Sequence, residues 1–323
     1  MANMADVARE ADVSTATVSR VLNNSMQVIP ETRERVLRAM EKLGYDYGAR
    51  KLEGNLSHKN VILVITNTAM SEMFDHLRRA GAALGYQMIF NFYSLGDEAN
   101  IFDILGENVV SGVILLGVID RNGALENWLK KYPLVQLKAK RLQFKDNYAV
   151  LSDEAMMAYD GVEHLIRLGR KRIALITVKQ APFIENKREN GYRQALCDAG
   201  IEIDQNLIFY GDYTYDGGYD AAKALVKSGI KADGIFCICD MMAAGCMKYL
   251  SEMGYRIPED IAVVGLDNIE AAPFLTPALT TVDSCIEETA AEAVRLLDGV
   301  IRKEISHGRT VYVEHRLVIR ESA

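Results

Sequence analysis

The spacing of apolar positions changes near residue 60. Before it the rhythm is helical. Val7, Ala8 and Ala11 share one face of a stretch from Met4 to Ala11, and Val18, Val21 and Leu22 share one face from Thr15 to about Leu22. Val36, Leu37, Met40 and Leu43 do the same in a third stretch that follows Ile29-Pro30-Glu31 and stops at Gly44. Asn3 and Ser14 stand where a short polar side chain caps a helix start. After residue 60, short continuous apolar runs alternate with helical stretches: VILVIT (61–66), YQMIFNF (86–92), SGVILLGV (111–118), PLVQLKA (133–139), RIALITV (172–178), LIFYGD (207–212), DGIFCICD (233–240) and IAVVGLD (261–267). Such runs predict parallel strands buried on both faces. They form two sets, with SGVILLGV and DGIFCICD in similar places. The predicted fold class is α/β, a three-helix N-terminal head followed by a core of two doubly wound parallel-sheet subdomains. In such sheets ligands bind outside the carboxyl ends of the strands, here between the subdomains.

Two short helices joined by a tight turn, with a third as brace, make a helix-turn-helix. With its apolar stripe buried, the second helix presents Thr15, Ala16, Ser19 and Arg20 outward. Small side chains let a helix lie close to base edges, hydroxyls bond phosphates, and a guanidinium forks onto guanine. An ordinary amphipathic helix with a polar outer face satisfies the same pattern.

Charge refines this picture. The chain has 323 residues and a net charge of -7. Residues 1–60 hold nine Lys/Arg and eight Asp/Glu, and the remainder holds 28 and 36, so the head is at +1 and the body at -8. DNA binding must therefore rest on placement rather than on total charge. No apolar run is long enough to span a bilayer, and the N-terminus lacks the apolar core of a signal peptide, so a cytoplasmic protein is expected.

The chemistry of enzymes is absent from the pattern. There is no G-x-G-x-x-G, Walker A or G-x-S-x-G motif, and no cofactor, catalytic group or metal site is expected. Cys237 and Cys239 read as residues of a buried strand, since a C-x-C pair alone cannot complete a zinc site. The five histidines show no metal-binding spacing. Gly217-Gly218 reads as a turn or a close helix approach, and Trp128 as packing.

MADVAREADVSTATVSRVLNN and ETRERVLRAMEKLGY resemble the DNA-binding head of the lactose-repressor (LacI/GalR) family. GVEHLIRLGRKRIALI, RENGYRQAL, CDMMAAGCMKYLSEMGYRIPEDIAVVGLDN, LTPALTTV and the closing RLVIRES resemble its periplasmic-binding-protein-like core. The resemblance implies a homodimeric, sugar-responsive transcription factor, a repressor, reading a palindromic operator on double-stranded DNA. It implies base-reading roles for Thr15, Ala16 and Arg20, and phosphate contacts from Ser14, Thr17, Ser19, Asn23 and Thr32. It divides the chain into a head (1–47), a hinge (48–59) and a core (60–323). The core's N-subdomain covers about 60–154 and 285–311, and its C-subdomain about 155–284 and 312–323. The hinge departs from the family pattern: Tyr47-Gly48 replaces Pro-Asn, the segment is two residues shorter, and Leu52 is the match for the residue wedged into the minor groove.

For the effector the matches are Asp153, Arg188, Tyr213 and Asp267, with Cys239 where some relatives carry an Asn. Carboxylates accept bonds from neighbouring hydroxyls, a guanidinium donates two, and a tyrosine stacks on a sugar ring. Each has a plain alternative, because an Asp after a strand often caps the next helix and a loop Tyr often packs. The family's Asn-Pro after the first core strand is replaced near Ser71-Glu72. Two rivals stay open: a binding protein that only senses a solute, and an enzyme on a doubly wound sheet.

Overall fold

The computed structural model describes residues 4–22, 30–43, 60–66, 71–93, 110–117, 129–138, 146–179 and 184–323. The described residues form two compact units, one before Val61 and one from Val61 onward.

The first unit holds helices α1 (Met4–Glu10), α2 (Thr15–Leu22) and α3 (Pro30–Lys42). Val7, Ala8, Ala11, Val18, Val21, Val36 and Ala39 form its core, with Met4, Val13, Met40 and Leu43 at the margin. The helical spacing thus places these residues inward as expected. Ser14 starts α2: its Oγ accepts from the Thr17 N–H at 3.1 Å, and its carbonyl accepts from Val18. Asp12 makes the turn between α1 and α2 with a φ of 50°. The Lys42 Nζ lies 2.6 Å from Glu10 Oε1 and ties α3 to α1. The expected roles of Asn3, Asn23 and Leu52, and the whole of the hinge at 48–59, fall outside the described residues, as does Trp128.

In the second unit the first sheet runs β11-β5-β4-β3-β1-β2 and the second β12-β10-β9-β8-β6-β7. The first comprises β1 (Val61–Thr66), β2 (Gln87–Phe92), β3 (Gly112–Leu116), β4 (Leu134–Leu137), β5 (Ala149–Ser152) and β11 (Thr310–Val313). The second comprises β6 (Ile173–Val178), β7 (Ile208–Gly211), β8 (Gly234–Cys237), β9 (Ala262–Asp267), β10 (Thr280–Asp283) and β12 (Arg316–Val318). Pairing is parallel except for β12, which runs antiparallel to β10. β3 beside β1 and β8 beside β6 hold equivalent places, as the two apolar runs predict. Every residue of β1, β3, β4, β6 and β8 is buried, which is why these runs carry no alternation.

Three details differ from the sequence reading. β2 and β7 are edge strands and are partly exposed rather than covered on both faces. β5, β10 and β11 are not among the expected apolar runs: AVLS, TTVD and TVYV mix polar with apolar residues. Cys239 is not in the strand, because β8 stops at Cys237 and Cys239 precedes a helix.

Helices α4 (Ser71–Ala83) and α9 (Ile286–Ile301) pack on the first sheet, burying Met73, Leu77, Ala290, Val294 and Leu297. Helices α5 (Glu154–Arg167), α6 (Ile184–Asp198), α7 (Tyr215–Ser228) and α8 (Asp240–Glu252) pack on the second. The chain passes between the sheets after β5, after β10 and after β11. Gly217-Gly218 lies in α7 as a close helix approach: a Cβ on Gly218 would stand 2.1 Å from the Met242 carbonyl oxygen, and one on Gly245 would stand 1.9 Å from that of Tyr215. Only hydrogen fits between α7 and α8 at these two points.

Candidate functional site

Two groups of residues carry candidate chemistry. On the head, the N-terminal turn of α2 exposes Thr15 and Ala16, with Ser14 exposed at the cap and Thr17 half-buried. The Ser14 and Thr17 hydroxyls are 2.9 Å apart. Ser19 and Arg20 follow on the same helix, where the backbone alone is described. Thr32 is half-buried in the first turn of α3. Opposite this face lie Val18 and Val21, both in the core. The result is a small, hydroxyl-bearing, exposed helix start, a surface suited to a phosphate or a base edge.

The second group lies at the carboxyl ends of the core strands. Arg188, on the first turns of α6, is almost wholly buried. Its Nε donates to Glu154 Oε2 at 2.7 Å, one Nη donates to the Ile238 carbonyl, and the other stands 3.5 Å from Asp267 Oδ1. Glu154 is the first residue of α5 and is itself buried. Burial opposes the charge on Arg188, but Glu154 and Asp267 outweigh it and raise the guanidinium above its ordinary pKa. Burial raises Asp267, Arg188 and Lys138 pull it down, and Glu154 and Glu72 push it up; the sum is a carboxyl above its usual range.

The backbone here is strained. Asp267 has a φ of 120° and Asn268 one of 57°. Non-glycine residues held there cost roughly 1–3 kcal/mol each, and such strain concentrates at functional sites. Asp240 helps to hold the turn: its Oδ2 accepts from the Ile269 N–H at 3.0 Å and its Oδ1 from Thr281 Oγ1 at 2.6 Å. Gly265 makes room for it, since a Cβ there would stand 2.1 Å from Asp240 Oδ1. Burial and the Asp267 charge push Asp240 up to about 7. Asn268 donates to Asp283 and accepts from Arg320.

The residues singled out in the sequence divide. Arg188, Asp267 and Cys239 come together. Burial, with the Asp267 charge, raises the Cys239 thiol to about 12, so it faces this cluster uncharged at neutral pH. Asp153 is exposed, and its Oδ1 caps α5 by accepting from Ala155 and Met156 at 3.2 and 3.1 Å. It lines a depression with Met156, Asp160, Tyr312 and His315, whose ring Nε2 lies 2.8 Å from Asp160. Tyr213, with a φ of 69°, follows β7 and lines a groove with Val178, Lys179, Tyr210 and Asp212. Sequence reasoning missed Glu154, Asp240, Lys138 and Glu72. An acid in the first turn of a helix reads as a favourable end charge, and a lysine after a strand reads as a solvated end, so neither gave a distinguishing signal. Among the described residues no cluster of three or more His, Cys, Asp or Glu side chains is arranged to hold a metal, and no helix is long and apolar enough to cross a membrane.

Comparison with known proteins adds to this geometry. Residues 3–46 match the family model described as bacterial regulatory proteins, lacI family, and residues 162–323 match one described as a periplasmic binding protein-like domain. Catabolite control protein A of Priestia megaterium is 31% identical, with 98% of each chain covered. The HTH-type transcriptional repressor CytR of Escherichia coli K12 is 31% identical over 99% of this chain and 96% of its own. Among solved structures, the transcriptional regulator CelR–cellobiose complex superposes with a TM-score of 0.73 at 29% identity, covering both chains fully.

Proposed function

We propose, from the premise that this chain belongs to the lacI family of bacterial regulatory proteins, that it represses transcription under the control of a sugar bound between its two core sheets. It is a DNA-binding transcriptional regulator and not an enzyme. The finer assignments are ours. Residues 1–47 are the head, 48–59 the hinge, 60–154 with 285–311 one core subdomain, and 155–284 with 312–323 the other. The α2 surface reads operator DNA, with Thr15, Ala16 and Arg20 at base edges, and Ser14, Thr17, Ser19, Asn23 and Thr32 at phosphates. Asn3 belongs to the DNA-binding set, and Leu52 is assigned to the minor groove. DNA as target places the protein in the cytoplasm.

The observation that carries the effector reading is the Arg188–Asp267 pair at the end of β9. It presents a carboxylate that accepts from hydroxyls beside a guanidinium that donates to them. The cellobiose bound by the similar CelR supports a sugar as the ligand class. Cys239 forms part of its wall, and Tyr213 and Asp153 are assigned to the effector from the family resemblance alone. We assign a homodimer, because a palindromic operator needs two heads. Exposed apolar side chains support it: Phe92 on edge strand β2 stacks against Phe74, and Phe274 is 84% exposed on the second-sheet side.

The test is a thermal-shift screen against sugars and nucleosides, since a ligand at a hundred times its dissociation constant adds roughly 2.7 kcal/mol. With the ligand in hand, Arg188→Ala and Asp267→Ala should each weaken it by about 1.5–3 kcal/mol while leaving operator affinity intact. Parent-like ligand binding by both variants in calorimetry moves the site elsewhere.

A further inference from the structure

We infer that Glu154 is a specificity residue: by giving the Arg188–Asp267 site a net negative charge, it bars anionic ligands and leaves the site to uncharged hydroxyl donors. The inference rests on the reading of Arg188 and Asp267 as effector contacts.

An arginine near a ligand site ordinarily invites a phosphate or carboxylate, because its planar fork matches two oxygens. Here the fork is already taken. Nε is bonded to Glu154 at 2.7 Å, one Nη to the Ile238 carbonyl, and the second Nη faces Asp267 at 3.5 Å. Burial alone would demand one counter-charge for Arg188, and Asp267 supplies it. Glu154 is therefore surplus: one positive and two negative charges leave the triad at -1. The exposures show which charge a ligand meets. Side-chain exposure is 6% for Arg188, 2% for Glu154 and 21% for Asp267. The guanidinium and Glu154 sit behind, and the Asp267 carboxylate stands in front. Lys138 and Glu72 stand next to the triad with opposite signs, Lys138 acting the more strongly on Asp267, and Asp240 adds a further carboxyl. Burial is the main cause of the raised pKa of Asp267, and the Glu154 charge adds to it.

Such a site discriminates by charge and not only by shape. A hydroxyl donates to Asp267 without adding charge, whereas an oxyanion in the same place is repelled by both carboxylates and meets an Arg188 whose charge they already outweigh. The neutral Cys239 thiol offers it no strong donor either.

The experiment uses inorganic phosphate as probe, titrated into the full chain at constant ionic strength. The parent should show no phosphate binding that depends on Arg188. E154Q/D267N keeps both side-chain volumes and keeps an acceptor for Nε, but takes the triad from -1 to +1. It should bind phosphate at least tenfold more tightly than the parent, and adding R188Q should abolish the gain. Should the double variant not fold, D267N alone brings the triad to zero, and its phosphate affinity must still rise. Phosphate binding by the parent that R188Q removes overturns the inference. So does a folded variant that gains nothing. A parent that binds no uncharged sugar defeats the effector reading instead, and that result is distinguishable because the phosphate titrations need no sugar.

Discussion

The Glu270 backbone N–H donates to Glu72 Oε1 at 3.3 Å. Glu72 belongs to the first turn of α4, which packs on the first sheet, and Glu270 follows the strained turn at the end of β9 in the second. The bond therefore joins the two halves of the core beside the Arg188–Asp267 pair. A ligand shifts such an equilibrium only by binding the closed arrangement better than the open one.

Removing this bond should favour opening. Glu72→Ala is expected to weaken effector binding by up to about fivefold, the effect of about 1 kcal/mol for one partly exposed hydrogen bond to a charged group. Small-angle scattering of the ligand-free variant should show a larger radius of gyration. Identical scattering and identical affinity would remove the contact from any part in closure.

Asp240 should make stability fall with pH. It is wholly buried and pushed up to about 7 from 3.8. Between those values the folded state holds a proton that the unfolded chain has released, so its stabilising contribution is full below about pH 4, is lost as pH rises to about 7, and is then level. The loss is a few kcal/mol at most. Urea melts of the parent and of Asp240→Asn, taken from about pH 5 to about pH 8, isolate it. The parent's stability relative to the variant should fall from about pH 5 to about pH 7 and stay level to about pH 8; a constant difference refutes the assignment.

Arg20→Ala should cost roughly 1–3 kcal/mol at the cognate operator and blur specificity at one base pair. The exposed Thr15-Ala16 turn of the same helix motivates this. Gel-shift titrations on the operator and on single-base variants measure it. Unchanged affinity on all of them assigns base reading to other residues.

Phe92→Asp should split the dimer. Phe92 is 58% exposed and stacks edge-on with Phe74 at 5.6 Å. A charge buried without a partner at an interface costs several kcal/mol, enough to raise the dissociation constant more than tenfold. Sedimentation velocity across a concentration series reads this directly. A variant that associates as tightly as the parent leaves this face outside the interface.

What the sequence determined by itself was everything set by neighbours along the chain. A helix stripe such as Val18 and Val21, a cap such as Ser14 before Thr17, and a continuous run such as VILVIT are local patterns with local causes. They were enough to place three helices in the head and two parallel sheets in the core. Asp267 as an effector residue came from the family resemblance, since an Asp after a strand reads equally as a helix cap. Tertiary structure alone decided the partners. Glu154 reaches Arg188 across 34 positions and Glu72 reaches Glu270 across 198, and no spacing rule links residues so far apart. Strands β10 and β11 were fixed by the neighbours they pair with, since TTVD and TVYV are not continuous apolar runs. The charge of the site belongs to this second class. Arg188 read alone is a donor to a ligand, and only the folded chain shows that two carboxylates, one of them buried, stand against it.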